Sequence, residues 1–112
     1  MKTKLLYAFI AGFVALALTA CSADEDPAMR VRNDRGTKAN VQIKTSGGST
    51  ININDVEPNQ TTGYQNVSEG VIEVTASIQN EPVSPATNFH ASKNNTYTVV
   101  VAAGDPPTLR VE

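Results

Sequence analysis

Residues 39–54 read ANVQIKTSGGSTININ and carry the pattern that decides the fold. Two runs of alternating apolar and polar residues flank the short glycine-rich stretch Ser46–Ser49. Alternation with a period of two is typical of half-buried strands, and a tight link between two such runs predicts a β-hairpin. The side chains expected on its buried face are Val41, Ile43, Ile51 and Ile53.

Further alternating runs lie on both sides of this hairpin. We expect strands at 29–33, 61–65, 71–79, 96–102 and 108–112, and a short one beginning near Phe89. The stretches 55–60 and 80–88 contain Pro58, Pro82 and Pro85, which predict a loop in the first and exclude a central strand in the second. Strand 96–102 is apolar on both faces, which suggests a central position in its sheet.

Seven or eight short strands, spaced by about 8 to 12 residues without a helical period after residue 20, favour an all-β domain. The pattern fits an antiparallel sandwich or a small barrel. We expect the sandwich, immunoglobulin-like or prealbumin-like in arrangement, over residues 29–112 and preceded by a signal-peptide helix.

The first 20 residues resemble a secretory signal. Lys2 and Lys4 precede an apolar run from Leu5 to Leu18, and small or polar residues follow it. The run is 14 residues long, whereas a permanent transmembrane helix needs about 20. A cleaved signal over residues 1–20 is therefore favoured over a retained membrane anchor.

Leu18-Thr19-Ala20-Cys21 resembles a bacterial lipoprotein box, with the only cysteine directly after the cleavage context. Cys21 would then carry lipid, and two or more acyl chains give stable attachment where one is marginal. The alternatives for an isolated cysteine are a buried apolar residue or a free thiol. With Cys21 lipidated, the remaining domain has no disulfide and depends on packing.

Residues 21–28 are interpreted as the lipidated cysteine and a flexible, acidic tether. Ser22 follows the cysteine where enterobacterial lipoproteins retained at the inner membrane have Asp, and this resemblance points to the outer membrane. Asp24-Glu25-Asp26 resembles the acidic surface-export signals of Bacteroidetes-like lipoproteins, although a short acidic stretch is also an ordinary solvated spacer. The expected address is the cell envelope, at the periplasmic face of the outer membrane or the cell surface.

Composition excludes some classes of function. Without its first 20 residues the 112-residue chain has 92 residues, with 9 − 2 = 7 basic and 11 acidic side chains. No basic surface is available for phosphates, so nucleic acid is not an expected partner. The single histidine, His90, lacks a second histidine or a free cysteine to complete a common zinc set.

The remaining candidates for chemistry are weak, and we predict no catalytic residue, metal site or cofactor. Residues 24–26 lack the spacing of a calcium loop. Ser46–Ser49 lacks the following helix of a phosphate-binding loop. Tyr64 and Tyr97 are possible ligand contacts on a sugar-binding platform, although single tyrosines in strands more often lie at the edge of a core.

Several short motifs resemble a family of small bacterial extracytoplasmic domains, the domain of unknown function 4397. They are Arg30-Val31-Arg32-Asn33, Gly63-Tyr64, Gly70 before the long strand, and Tyr97-Thr98-Val99-Val100. The chain departs from the family at residues 34–38, where members often have Ala-Ser-Pro. The resemblance implies a β-domain outside the cytoplasm and brings no catalytic residues.

Together these features predict a non-enzymatic lipoprotein, a β-sandwich module for protein interaction or structural support. Its partners would be the membrane, through the lipid anchor, and another envelope protein. The alternative is a ligand-binding domain for carbohydrate or another envelope component, with loops 55–62 and 80–88 forming the site. A hydrolase is a third possibility.

Overall fold

The computed structural model describes residues 24–112, which form eight β-strands and confirm the all-β prediction. The strands are β1 (Ala28–Asn33), β2 (Ala39–Lys44), β3 (Thr50–Val56), β4 (Gln65–Asn66), β5 (Gly70–Ile78), β6 (Ala86–Ala91), β7 (Thr96–Ala102) and β8 (Thr108–Val111). The predicted signal-peptide helix and Cys21 lie outside the described residues.

The strands form two four-stranded sheets, which we call sheet A (order β4-β1-β7-β8) and sheet B (order β3-β2-β5-β6). Their inward side chains make one apolar core, so the predicted sandwich is confirmed. Its fully buried members include Met29, Val31, Val41, Ile43, Ile72, Val74, Val99 and Val101. Each buried side chain of this size stabilises the fold by about 1.5–3 kcal/mol before the entropy cost of ordering the chain.

The hairpin at residues 39–54 forms as expected. Val41 pairs with Ile53 and Ile43 with Ile51 across β2 and β3. Its turn is closed by the Gly48 amide, which donates to the Thr45 carbonyl at 3.0 Å. Gly48 has φ +88°, a conformation that glycine adopts without a steric penalty.

One pairing departs from the antiparallel prediction, because β1 and β7 run parallel. The strands that follow β1 and precede β7 in the chain, β2 and β6, belong to sheet B. Between β1 and β7 the chain returns to sheet A only for the two-residue strand β4. Both strands therefore start at the same end of the sandwich. The predicted central position of residues 96–102 is confirmed, since β7 lies between β1 and β8.

Three strand boundaries were predicted incorrectly. β3 continues to Val56 instead of ending before residue 55, and β4 occupies Gln65–Asn66 instead of 61–65. Thr61 makes only an isolated bridge to Arg32. β6 begins at Ala86, directly after Pro85, and this is compatible with proline because β6 is an edge strand.

The registers define two ends of the sandwich. The proximal end carries residues 24–27, the hairpin turn 45–49, the loop 67–69 and the turn 92–95. The distal end carries the loops 34–38, 57–60, 79–85 and 103–107. The loops at 55–62 and 80–88, proposed from sequence as a ligand site, therefore both border the distal end.

Candidate functional site

Residues 24–27 lie against the body of the domain at the proximal end. The Glu25 amide donates to Oδ1 of Asn94 at 2.9 Å, and the Asn94 amide donates back to the Glu25 carbonyl at 2.9 Å. Asp26 pairs with Lys93 at 3.2 Å, and Pro27 is buried. The sequence interpretation had a flexible tether through residue 28, whereas these contacts begin at residue 24.

The site residues predicted at the N-terminus, Cys21 with Leu18, Thr19 and Ala20, lie outside the described residues. Tyr64 and Tyr97 are described, and the structure places them on opposite faces of sheet A. Tyr64 is 49% exposed, with the Arg30 guanidinium carbon 4.8 Å from its ring centroid. Tyr97 pairs in register with the buried Met29 and packs against the core, so the two rings do not form one platform.

Tyr97 has a structural role at the proximal end. Its ring centroid lies 5.0 Å from that of Phe89, and its hydroxyl accepts a hydrogen bond from the Ser92 amide at 2.9 Å. The side chain thus joins β6 to β7 around the turn that holds Asn94. This arrangement matches the common pattern of a tyrosine at the edge of a core with its polar end satisfied.

His90 and the acidic run occupy exposed positions. His90 lies on the outer face of β6, where Nδ1 is 3.5 Å from Oγ of Ser92. Asp24 accepts a hydrogen bond from Nδ2 of Asn94 at 3.2 Å. Within residues 24–112, no group of three or more His, Cys, Asp or Glu side chains is placed to hold a metal ion. Nor does this part of the chain contain a helix long and apolar enough to cross a membrane.

A β-bulge on sheet B creates the most distinctive polar surface. Ala39 pairs with Val56 and Val41 with Ile53, so Asn54 and Asp55 together face the single residue Asn40. The extra residue turns both Asn54 and Asp55 outward and returns Val56 to the core. Bulges commonly redirect side chains in this way, and they are over-represented next to functional sites.

Asn40 stabilises the bulge through the oxygen of its side-chain amide. Oδ1 accepts a hydrogen bond from the Asp55 amide at 2.7 Å, which fixes the orientation of the Asn40 side chain. Asp55 has φ +57°, a left-handed conformation that costs a non-glycine residue energy and that Asp and Asn tolerate best. Two local irregularities thus coincide at one point of the sheet.

A cavity of about 270 Å³ opens beside this bulge, and a second of about 230 Å³ continues along β2. We call the pair the β2 trough. The first is lined by Lys38, Asn40, Asp55, Ser77 and Gln79, and the second by Asn40, Val41, Gln42, Asn52, Asn54, Thr75 and Ser77. Lys38 also pairs with Glu57 at 3.6 Å. Apart from Lys38, Asp55 and Val41, the lining residues carry uncharged amide or hydroxyl groups.

The distal loops are cross-linked by two side chains of the β1–β2 region. Asn33 is fully buried, and its Nδ2 donates to the carbonyls of Thr37 at 2.8 Å and Val56 at 3.0 Å. Arg35 donates through Nη1 to the carbonyls of Ala102 and Gly104, each at 2.9 Å, and pairs with Glu81 at 3.3 Å. Loops from three parts of the chain are therefore held in one arrangement.

An ion-pair network covers the outer face of sheet A. Arg32 lies 2.9 Å from Asp34 and 3.3 Å from Glu112, which also accepts from Arg110 at 2.8 Å. The hydrogen bond from Arg110, together with the charge of Arg32, holds the pKa of the Glu112 carboxyl below its ordinary value. The hydrogen bond to Asp34 raises the pKa of Arg32 further.

No family model matches the sequence, and no curated protein matches it. Among solved structures, the fold is similar to the NMR structure of a protein from Eubacterium rectale, with a TM-score of 0.58. The two chains are 12% identical, and the similarity covers 78% of this chain and 88% of that one. At this identity the similarity shows the β-sandwich fold alone.

The β2 trough was missed from sequence, although one signal for the bulge exists. The apolar spacing is two between Ile51 and Ile53 but three between Ile53 and Val56, with Asn54-Asp55 in between. A β-bulge adds one residue to a strand, so the spacing between inward apolar residues increases from two to three. The residues between them must include one that tolerates positive φ, as Asn and Asp do. The cavity itself depends on the pairing of three strands, which no local pattern reveals.

Proposed function

We propose that the protein is a non-enzymatic lipoprotein of the bacterial cell envelope, a β-sandwich module that contacts another envelope protein. One observation supports it most directly. Residues 24–27 are bound to the proximal end of the sandwich, only three positions after the cysteine proposed to carry lipid. A lipid at Cys21 would therefore act on the orientation of the whole domain.

The short connection between Cys21 and Asp24 limits how the domain can be oriented on the membrane. A chain spans at most about 3.3–3.6 Å per residue, so Cys21 would lie within about 11 Å of Asp24. The proximal end would then face the membrane, and the distal end would face away. Such an arrangement suits a module that offers one surface to a partner while it is held on the membrane by two or more acyl chains.

The distal loops are the surface we propose for the partner. Asn33 and Arg35 hold them together, and this reduces the ordering cost that binding has to overcome. Val83 is 53% exposed at this end, beside the prolines of the 79–85 loop. Val83 therefore provides an accessible position at which contact between these loops and a partner can be tested.

The anchor is tested with Cys21→Ser in the native host. We expect the wild-type chain in the membrane fraction with a mass increase on Cys21, and the variant unprocessed at the signal and unlipidated. Membrane retention of an unlipidated Cys21→Ser chain equal to that of wild type would contradict the proposal.

The contact surface is tested by placing a photo-crosslinking residue at Val83 in living cells. Val71, which is 56% exposed at the start of β5, provides a matched control at the proximal end. We expect one discrete crosslinked product from position 83 and none from position 71. Equal products from both positions, or none from position 83, would count against a distal partner site.

A second candidate function is ligand binding, to a carbohydrate or another envelope component. The β2 trough favours it, because polar side chains converge there around a sheet irregularity. Ligand sites are generally concave, with a small number of placed polar groups.

A further inference from the structure

We propose that the β2 trough binds a neutral oligosaccharide through its hydroxyl groups, with Asn40, Asp55 and Ser77 as the central contacts. This inference rests on the second candidate function and names its site and ligand class. It is independent of the lipid anchor and of the distal protein contact.

The polar groups of the trough are free to bind a ligand. Asn40 uses Oδ1 internally, and within residues 24–112 no hydrogen bond involves its Nδ2. In the same range the Asp55 carboxylate has no ion pair, and the side chains of Ser77 and Gln79 make no hydrogen bond. By contrast, at the proximal end the Asn94 side chain donates to Asp24 and the Asn95 side chain donates to the Lys93 carbonyl within the same turn.

The mixture of free groups matches a sugar better than an anion. An amide N–H donates, a carboxylate accepts, and a hydroxyl does both, so the three complement a row of hydroxyls that each donate and accept. Lys38 is paired with Glu57, so the Asp55 carboxylate keeps its negative charge, which disfavours an anionic ligand. Only one carboxylate faces the cavity, fewer than a calcium or magnesium site normally uses.

The rigidity of the site supports binding. The bulge and the hydrogen bond from the Asp55 amide to Asn40 fix the Asn40 side chain and the backbone at Asp55 before a ligand arrives. Preorganised groups lose less entropy on binding. Because the trough continues along β2 beyond Ser77, it can accept more than one sugar ring.

The test uses the full-length, isotope-labelled chain purified in detergent and monitored by ¹H–¹⁵N spectra. The probes are neutral tetrasaccharides of glucose, mannose or N-acetylglucosamine, added to about 20 mM because a few neutral hydrogen bonds give about millimolar affinity. We expect saturable shifts at the Asp55 backbone amide and the Asn40 side-chain amide with at least one of them.

The variants locate the site. Asp55→Asn keeps a residue that tolerates positive φ and removes the charged acceptor, so binding should weaken about tenfold or more. Ser77→Ala should weaken it about two- to tenfold. Glu73→Gln is the control, because it also removes one carboxylate charge. Glu73 lies on the same outer face of β5 as Ser77 but outside the cavity, so this substitution should leave binding unchanged.

Four results would overturn the inference. They are no saturable shift with any neutral probe, shifts centred on Tyr64 and Arg30, equal weakening by Asp55→Asn and Glu73→Gln, and tighter binding of a tetragalacturonate than of the neutral probes. Unchanged membrane attachment and crosslinking from position 83 in any of these cases would show that only the sugar site has failed.

Discussion

Asn33 donates a hydrogen bond from Nδ2 to the carbonyl oxygen of Val56 at 3.0 Å, across the two sheets of the sandwich. The same nitrogen donates to the Thr37 carbonyl, and Oδ1 accepts from the Arg35 amide at 3.0 Å. A fully buried amide side chain is stable only when its polar atoms are bonded in this way. Asn33 thus joins the end of β1, the following loop and the end of β3.

Replacing Asn33 by alanine should destabilise the fold by about 2–4 kcal/mol, because the buried Val56 carbonyl and the partly buried Arg35 amide lose their partners. The free energy of unfolding from denaturant titration measures the effect. Asn88→Ala is the control, since Asn88 is exposed on β6 and should change stability by less than about 0.5 kcal/mol. Equal effects of the two substitutions would show that the bonds of Asn33 are not needed.

The period-two pattern predicted most of the strands correctly because each has one buried face. It also located the inward residues, as in β5, where the buried side chains are Ile72, Val74, Ala76 and Ile78. The parallel pairing of β1 and β7 was not predictable from local patterns, since the chain between residues 28–33 and 96–102 passes through all four strands of sheet B and through β4. The turn at Asn94 likewise gives no local sign that it binds Glu25.

Strand pairing also explains why the residues of the candidate site could not be predicted together from sequence. Asn40 and Asp55 lie 15 positions apart and become neighbours only through the register of β2 and β3. Tyr64 and Tyr97 attracted attention as aromatic residues, but their positions on opposite faces of sheet A follow from strand pairing. Residue type alone thus indicates which side chains are able to bind a ligand, and pairing decides which of them meet.

Ile72 and Val71 provide a direct test of the assigned faces of β5. Ile72 is fully buried, so Ile72→Ala removes apolar contacts and leaves a cavity, which should cost about 2–5 kcal/mol. Val71 is 56% exposed, and Val71→Ala should change the free energy of unfolding by less than about 0.5 kcal/mol. A larger loss for Val71→Ala than for Ile72→Ala would mean that the register of β5 is shifted by one residue.

The ion-pair network around Glu112 should make part of the stability depend on pH. The pKa of Glu112 is lowered in the folded state, so its contribution is present above the ordinary glutamate pKa and is lost as pH falls through the folded-state value. We expect a higher Tm for wild type than for Glu112→Gln at pH 7, and equal Tm values at low pH. Because the network is exposed, high salt should also reduce the difference.

Glu73→Gln is the matched control for this pH experiment. Within residues 24–112 the Glu73 carboxylate takes part in no ion pair, so its replacement should give no comparable pH-dependent difference in Tm. A difference between wild type and Glu112→Gln that persists unchanged at low pH would contradict the electrostatic explanation.

Asn94 and Glu25 test whether the segment before β1 is held by specific hydrogen bonds. Asn94 has φ +66°, so Asn94→Gly preserves the turn while it removes the side-chain bonds to the Glu25 amide and to Asp24. The loss of one such bond should raise hydrogen exchange at the Glu25 amide about two- to tenfold. Residue-resolved amide exchange on the purified protein measures this directly.

Asn80→Gly separates the effect of these bonds from that of the backbone. Asn80 has nearly the same φ, +69°, at the distal end, and no hydrogen bond of its side chain occurs within residues 24–112. The backbone effect of placing glycine at a positive φ should therefore be the same in both variants. Only Asn94→Gly should release residues 24–26. If exchange at Glu25 is no faster in Asn94→Gly than in Asn80→Gly, the side-chain bonds of Asn94 do not hold the segment. The buried Pro27 would then be the contact through which a lipid at Cys21 orients the domain.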